Sequence, residues 1–395
     1  LTIYQITIDN IGGENMIKGF KVKMFPNQEQ QEKIIKFCNT SRFSYNWALN
    51  IENENYKNGG KFLSGYDLAK LFTQFKKQEG NEWLKEIPAC TTKIAIFNCA
   101  ESFNRFFKKL SKYPKFKSKK HSKMKCATRY DRMIIEEKRI KLESLGWIRI
   151  VKRIIPIGEN IKYFNPKIEY DGIDFWFSVS VEIIDNQDND KTKTEAIGID
   201  LGIKTLATCS NSIINQKPNI NKIKKKLKRL QRRASRYYQK LIEKSEQMKI
   251  KFVQLSKSKN LLKLEKEIKK LHIKIKNILT TNIHTFTTSL IKLNPEAIVI
   301  EDLNVKGMMK NKHLSRSVAE AKFYEIRRQL EYKCKWNNIK LIIADRWFPS
   351  SKLCSECGNK KDKLSLSERI YVCEECGSII DRDLNASINL KNLAA

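Results

Sequence analysis

At 395 residues, with 41 % hydrophobic and 10 % aromatic residues, the chain is long enough for two or three folded domains and too apolar for a disordered basic tail. Its 77 Lys and Arg against 43 Asp and Glu leave a formal charge of +34, which repels itself and calls for a polyanion, nucleic-acid backbone ahead of an acidic membrane. No apolar run approaches the roughly 18 residues of a spanning helix and no signal peptide is evident, so no membrane partner and a cytoplasmic setting are expected.

Residues 1–15 (LTIYQITIDNIGGEN) differ in composition from the basic stretch that Met16 opens. They are read as an extension outside the core, with the functional chain starting at Met16, or else as a short strand. Ile17 to Phe25 alternate and predict a strand, ended by Pro26 and Asn27. From Gln28 to about Lys112 the period turns helical. Gln30, Ile34, Ile35, Phe37 and Cys38 begin one helix, Ser41 to Asn50 carries Phe43, Tyr45 and Trp47, and further helices are expected near Tyr66–Phe75 and Thr91–Leu110. Their aromatic stripes read as core first and as base-stacking platforms second. A basic Lys/Ser linker, Lys112 to Lys125, precedes four alternating segments at Arg139–Leu142, Trp147–Val151, Lys162–Tyr170 and Phe175–Glu182. These predict an antiparallel sheet or small barrel to which the first strand returns.

The polar segment Asp185 to Thr194 is a candidate boundary. Beyond it Glu195 to Cys209 reads strand, turn, strand, and Asn221 to Lys292 reads as a long helical region. Its first part, Asn221 to Arg233, holds eight basic residues in thirteen. Like charges one turn apart destabilise an isolated helix, so a polyanion partner explains the stripe better than solvation alone. Ala297–Leu303 and Leu341–Trp347 are predicted buried strands, Val318–Trp336 a helix between them, and Asp383–Leu393 a last helix.

Two constellations carry chemistry. Cys354-x-x-Cys357 and Cys373-x-x-Cys376 are separated by fifteen residues, and Gly358 and Gly377 follow the pairs directly. Four thiolates so spaced make a tetrahedral zinc site, structural because sulfur fills every position. The other six cysteines (Cys38, Cys90, Cys99, Cys126, Cys209 and Cys334) lie among apolar neighbours and read as buried free thiols of a reducing compartment. The second constellation is acidic. Asp200 ends one apolar strand (IGIDLG), Glu301 ends another (IVIEDL), and Asp383 opens the last helix (DRDLNASINL). Buried carboxylates are costly unless paired or bound to a cation. Three from separate segments suit two magnesium ions about 4 Å apart, the arrangement that hydrolyses phosphodiesters. Each alone reads equally as a turn or helix cap.

AIGIDLGIKTLAT, IVIEDLNVKGM, QLEYKCKW and WFPSSKLCSECG…YVCEECG…DRDLNASINL, together with FKVKMFPNQEQ and SRFSYNWALN near the start, resemble the TnpB (OrfB) family of transposon-encoded nucleases, relatives of type V CRISPR effectors. The resemblance implies an α+β multidomain chain. Residues 16–27 and 126–190 would form a wedge-like β-barrel with an inserted helical recognition domain and basic linker at 28–125. An RNase H-like (RuvC) nuclease domain would span 195–395 with its zinc ribbon at 350–380. It further implies an RNA-guided DNA endonuclease of the prokaryotic cytoplasm, one chain on one guide RNA from its own element, which reads a short flanking motif on double-stranded DNA and cleaves with Mg²⁺. Asp200, Glu301 and Asp383 match the family's catalytic carboxylates. Asp383 is preferred to Asp381 because it precedes the x-Asn-Ala segment. Tyr45, Asn46, Thr92 and Lys93 fall where members approach the flanking motif, and Lys224, Lys225, Lys228, Arg229, Arg232 and Arg233 would track nucleic-acid backbone. One departure is Ile278–Asn282 (ILTTN), where members often carry a Gln-Arg pair. A guide-dependent repressor without cleavage and an unguided RuvC-like nuclease are the alternatives.

Overall fold

The computed structural model describes residues 15–151, 155–158, 161–184, 192–250, 255–365 and 367–394. Residues 1–14 of the expected N-terminal extension lie outside these residues, as does most of the expected boundary, and Asn15 already belongs to the first strand. The fold is mixed α and β in two compact units, one taking in the described residues through 184 and the other those from 192 on.

The first unit opens with β1 (Asn15–Phe25), whose alternation puts Phe20, Val22 and Met24 inside. Lys21 and Lys23 face outward and reach Glu169 at 2.8 Å and Asp174 at 2.7 Å. Pro26 stops the strand, and Asn27 caps α1 (Gln28–Lys57) in a reciprocal box with Gln30. α1 is one 30-residue helix serving two cores. Ile34, Phe37 and Cys38 pack on the sheet, whereas Tyr45, Ala48 and Leu49 pack on α2 (Gly65–Phe75) and α3 (Ala89–Phe107). The strands β2 (Met124–Ala127), β3 (Ile134–Ile135), β4 (Arg139–Leu142), β5 (Gly146–Ile150), β6 (Lys162–Tyr170) and β7 (Phe175–Ile184) follow. With β1 they form a seven-stranded antiparallel sheet in the order β2-β6-β7-β1-β5-β4-β3, so the first strand does return to the sheet. The linker ends earlier than expected, because Met124 and Lys125 already pair with Tyr170 and Glu169.

The second unit begins with the hairpin β8 (Ile197–Asp200), β9 (Thr205–Cys209) and the short β10 (Ile214–Gln216). The expected helical region is two helices, α4 (Asn221–Gln247) and α5 (Lys259–Lys292). After β11 (Ala297–Glu301) come α6 (Val305–Lys310), α7 (Ser315–Ala321), α8 (Phe323–Trp336) and β12 (Lys340–Ala344). The single helix expected at Val318–Trp336 is broken between α7 and α8. Lys322 adopts φ +52° there while its ammonium donates to Thr280 Oγ1 at 2.6 Å. The hairpin β13 (Ile370–Val372) and β14 (Ile379–Asp381) precedes α9 (Arg382–Lys391).

The central sheet runs β10-β9-β8-β11-β12, antiparallel through β8 and parallel from β8 to β12. Residue parity assigns its two faces. Ile197, Ile199, Ile298 and Ile300 share a core with Ile283, Phe286 and Leu290 of α5 and with Ile326 and Leu330 of α8. Val299 turns the other way and packs with Leu390 of α9. Gly198 shares that second face, where a Cβ would lie 1.9 Å from the Ser387 carbonyl oxygen and 2.4 Å from the Lys391 nitrogen. The helix backbone sits so close to β8 that only glycine fits.

Gly198→Ala is therefore expected to force α9 off the sheet. The cost of such overpacking is about 1–3 kcal/mol or more. Thermal denaturation should fall accordingly, and exchange of the α9 amides should accelerate more than that of α5.

Candidate active site

β8 and β11 are adjacent and parallel, with Ile199 opposite Ile300, so the next residues, Asp200 and Glu301, end their strands side by side. Both share the parity of Gly198 and Val299 and face α9, whose first turn carries Asp383. The three sequence-predicted carboxylates are thus brought together. Burial pushes the Asp200 carboxyl well above its ordinary value of 3.8; Glu301 and Asp383 push it further, and Arg382 opposes them. Glu301 is also raised by burial, while hydrogen bonds from Ser350 and Asp200 hold it down. The hydrogen bond the two carboxyls share raises Asp200 further and lowers Glu301. Ser350 Oγ donates to Glu301 Oε1 at 3.0 Å. Asp383 lies 3.3 Å from Arg382 Nη2 and 3.8 Å from Arg369 Nη1. Asp302, the other acid at this strand end, is held outside the group by ion pairs to Arg327 at 2.9 Å and to Arg346.

Asp381, the near neighbour of Asp383, has another task. Its carboxylate accepts from the backbone nitrogens of Asp383 at 2.9 Å and Leu384 at 3.0 Å, capping α9. Two further side chains, absent from the sequence reading, hold the same helix. Asn385 Nδ2 donates to Leu353 O at 2.6 Å and its Oδ1 accepts from Ser355 N at 2.9 Å; Asn389 Nδ2 reaches Ser350 O and Leu353 O, both at 2.8 Å. Both asparagines are buried. The available signal was their spacing of four on the apolar face of a helix. Through them α9 is fastened to the segment carrying Ser350 and the first cysteine pair.

The cysteines also converge. Cys354 Sγ lies 3.6 Å from Cys376 Sγ and Cys357 Sγ 3.6 Å from Cys373 Sγ. A tetrahedron with Zn–S bonds of about 2.3 Å has edges of about 3.8 Å. Gly358 and Gly377, at φ +75° and +71°, close each knuckle by donating to the carbonyls of Cys354 and Cys373 at 2.9 and 3.1 Å. Among the described residues these four sulfurs form the one group of three or more potential metal ligands lying within 4.8 Å of one another.

The expected nucleic-acid contacts divide. On α4, Leu227, Leu230 and Ala234 are buried, and Lys225, Lys228, Arg229, Arg232 and Arg233 are exposed. Lys224 is ion-paired with Glu320 at 2.6 Å. In the first unit Lys93 is exposed. Thr92 is buried and binds Ala89 O at 3.1 Å, and Asn46 clasps the Lys117 backbone at 2.8 and 2.9 Å. Tyr45 is buried beneath Lys117, whose ammonium stands 3.1 Å from the ring centre. Sequence reading missed what surrounds it, a cavity of about 530 Å³ whose wall includes Arg42, Arg105, Lys117, Lys123, Lys125 and Lys167. Burial and the Lys125 charge push Lys117 down to about 8. Lys117, Lys123 and Lys125 belong to the stretch that composition marked only as linker. No described helix is long and apolar enough to cross a membrane.

Two outcomes are expected. A carboxyl whose value is raised by folding binds its proton more tightly folded than unfolded, so its contribution to stability is lost as pH rises from the unfolded value. Without divalent cations, the wild type should therefore fall progressively below Asp200→Asn in thermal stability as pH is raised from about 4 to 8. The gap should amount to about 1.4 kcal/mol for each unit by which Asp200 is raised, and Mg²⁺ should close it. Cys354→Ser should lose the metal ion carried by the purified protein and loosen α9, read by metal analysis and amide exchange.

Three family models match successive parts of the chain: "Helix-turn-helix domain" over residues 16–61, "Probable transposase" of the OrfB type over 178–312, and the Cas12f1-like TNB domain over 323–390. Residues 16–61 here form β1 and the single helix α1 rather than a helix-turn-helix. A Streptomyces pristinaespiralis protein named "Putative RNA-guided DNA endonuclease" is 30% identical over 375 residues, covering 94% of this chain and 88% of its own. InsQ of Escherichia coli (strain K12), with the same description, is 28% identical, covering 95% and 91%. A Cas12f1 chain solved in complex with sgRNA and target DNA shares the fold at a TM-score of 0.54 and 12% identity, covering 96% and 99%. With a relative of this identity matched over nearly its whole length, and with the OrfB-type model on the segment that holds Asp200 and Glu301, the chain belongs to the TnpB (OrfB) family.

Proposed function

We propose that this chain is an RNA-guided DNA endonuclease that hydrolyses phosphodiester bonds at Asp200, Glu301 and Asp383. The observation that carries the reading is the side-by-side ending of β8 and β11 beneath α9, which gathers three carboxylates, with Asp200 and Glu301 raised by burial and by the charge of Asp383. Such a group fits hard divalent cations, because its donors are all oxygen and its charge lacks a full set of counter-ions. Asp200, Glu301 and Asp383 would hold two magnesium ions. When bound, such ions supply an activated water and stabilise the leaving oxygen. The chain's own part is to orient the carboxylates: Ser350 turns Glu301, Asp381 fixes the turn that presents Asp383, and Arg327 and Arg346 keep Asp302 apart.

The mixed sheet, with its first three strands antiparallel and the last joined in parallel, supports an RNase H-like (RuvC) assignment for 195–395. Cys354, Cys357, Cys373 and Cys376 would hold a structural zinc in a ribbon at 350–380, with no position open to substrate. In the first unit, the strands of 16–27 and 126–190 would be the wedge-like barrel and 28–125 the helical recognition domain. The exposed face of α4 and the basic cavity by Lys117 supply cations for RNA and DNA phosphates. The names of the relatives support a guide RNA and a DNA target. A cytoplasmic site of action and one chain on one RNA complete the proposal.

The test is plasmid cleavage in Mg²⁺ by protein co-expressed with its flanking locus, the guide reprogrammed to a target beside a randomised flank. Guide-dependent linearisation should disappear in Asp200→Ala while RNA–protein assembly persists. Tight guided binding without cleavage by the wild type would favour a repressor; cleavage indifferent to the guide would mean an unguided nuclease.

A further inference from the structure

The loop after β12 presents a side chain that the carboxylate group does not use. β11 and β12 are parallel with Glu301 opposite Ala344, so the residues that follow each strand emerge together. Arg346 folds back onto Asp302, donating to its carboxylate and to its carbonyl oxygen at 3.3 Å. Four residues on, Ser350 binds Glu301. Between these anchors Asp345 Oδ1 accepts from the Trp347 nitrogen at 2.8 Å, and Phe348 packs against the core beneath α9. The loop is thus tied down on both sides of Trp347, yet Trp347 itself is 85 % exposed.

An indole this exposed wastes apolar surface that a single rotation toward the core would cover, were the loop free to rotate. It stands in the wall of a groove of about 560 Å³ that also includes Glu301, Lys352, Lys360 and Arg382. A second groove, of about 370 Å³, meets the first at Glu301 and Asp302, and its wall carries Lys306, Arg327 and Tyr324, which is 68 % exposed. Glu301, whose strand ends beside that of Asp200, therefore lies where two grooves join, each lined with cations and each offering one exposed ring. Cations that follow a backbone, interleaved with flat aromatic faces, are the elements that hold single-stranded nucleic acid without reading its sequence.

We infer that Trp347 is a base-stacking platform that lays one single strand of DNA across Glu301, with Tyr324 receiving a base on the far side. The inference rests on the proposed nuclease function and names residues that position its substrate. The strand's phosphates run along Lys352 and Lys360 on one side and Lys306 on the other, so a phosphate between the two stacked bases comes to the carboxylates. A duplex would keep its bases paired and leave both rings in water, so the occupant is an unpaired strand. Trp347 binds and places; it exchanges no proton and forms no bond.

The experiment compares wild type, Trp347→Ala, Trp347→Phe and Asp200→Ala as assembled RNA–protein complexes, with single-turnover cleavage of matched duplex DNA. Target binding is measured separately in the Asp200→Ala background with and without Trp347→Ala. Removing a stacking ring costs about 5- to 100-fold in strand holding. Trp347→Ala should slow cleavage by that factor, Trp347→Phe should recover most of it, and guided target binding should stay within about twofold. An abasic scan around the mapped cut gives the decisive readout: one abasic position should slow the wild type and leave Trp347→Ala no slower than it already is. Cleavage by Trp347→Ala at the wild-type rate overturns the inference. So do abasic and Trp347→Ala effects that multiply, which would place the ring against something other than a base, and so does a parallel loss of target binding, which would make Trp347 a docking residue for a partner. A wild type that cuts no better than Asp200→Ala fails at the prior step, the nuclease reading itself, and the inference falls with it.

Discussion

Three carboxylates held at one edge of a buried sheet impose the constraint around which the second unit is arranged. Burial pushes Asp200 and Glu301 toward their neutral forms, and the charge of Asp383 pushes both further. An arrangement this unfavourable persists only because the surrounding structure holds it by other means. Those means are visible in the strand register that aligns Asp200 with Glu301, the Ser350 hydroxyl on Glu301, and the two arginines that remove Asp302 from the group. Electrostatic strain retained at a site exposed to grooves is the physical signature of a place that a cation and a substrate complete.

α9 is the element through which this strain is shared. Its backbone lies against β8 where Gly198 leaves room, its first turn brings Asp383, and its asparagines grip the segment leading into the first cysteine pair. The four sulfurs and the three carboxylates are therefore mechanically joined though chemically separate. The segment that carries the first cysteine pair also determines where Leu353 and Ser350 stand, and these hold Asn389 and Glu301. A change at the cysteines is felt at the carboxylates through backbone position rather than through charge.

The excess of positive charge is organised as well. On α4 the apolar residues recur at the spacing of one helical face and leave Lys225, Lys228, Arg229, Arg232 and Arg233 outside. In the first unit the basic side chains come from remote segments, with Arg42 on α1, Arg105 on α3, Lys117 from an irregular stretch and Lys167 on β6. Burial, with the Lys125 charge beside it, pushes Lys117 down to about 8. A cavity of that kind gains most from an anion, since the anion relieves repulsion among groups already fixed in place.

Much of this was legible in the chain itself. Period-two and period-3.6 patterns marked nearly every long strand and helix, because burying one face leaves its imprint at a fixed spacing. The two CxxC pairs, each followed by glycine, and the acids ending apolar strands stood out as candidate ligands, because thiols at that spacing and carboxylates in such places suit metal ions. Short elements escaped notice: β2, β3, β10 and the β13–β14 hairpin hold too few residues for a period, and the break at Lys322 depends on a hydrogen bond to Thr280 from another helix. The resemblance placed Tyr45 and Thr92 at a nucleic-acid contact, and in the fold both are buried, since local pattern does not say which neighbours close over a side chain. The sequence by itself determined which residues carry ligand chemistry and which faces are apolar. Only the tertiary structure decided that Asp381 caps a helix while Asp383 joins the carboxylates, that Asn385 and Asn389 hold α9, and that Trp347 stands beside Glu301. Identity and spacing are local properties of a chain, whereas convergence depends on strand register and helix contact between segments a hundred or more residues apart.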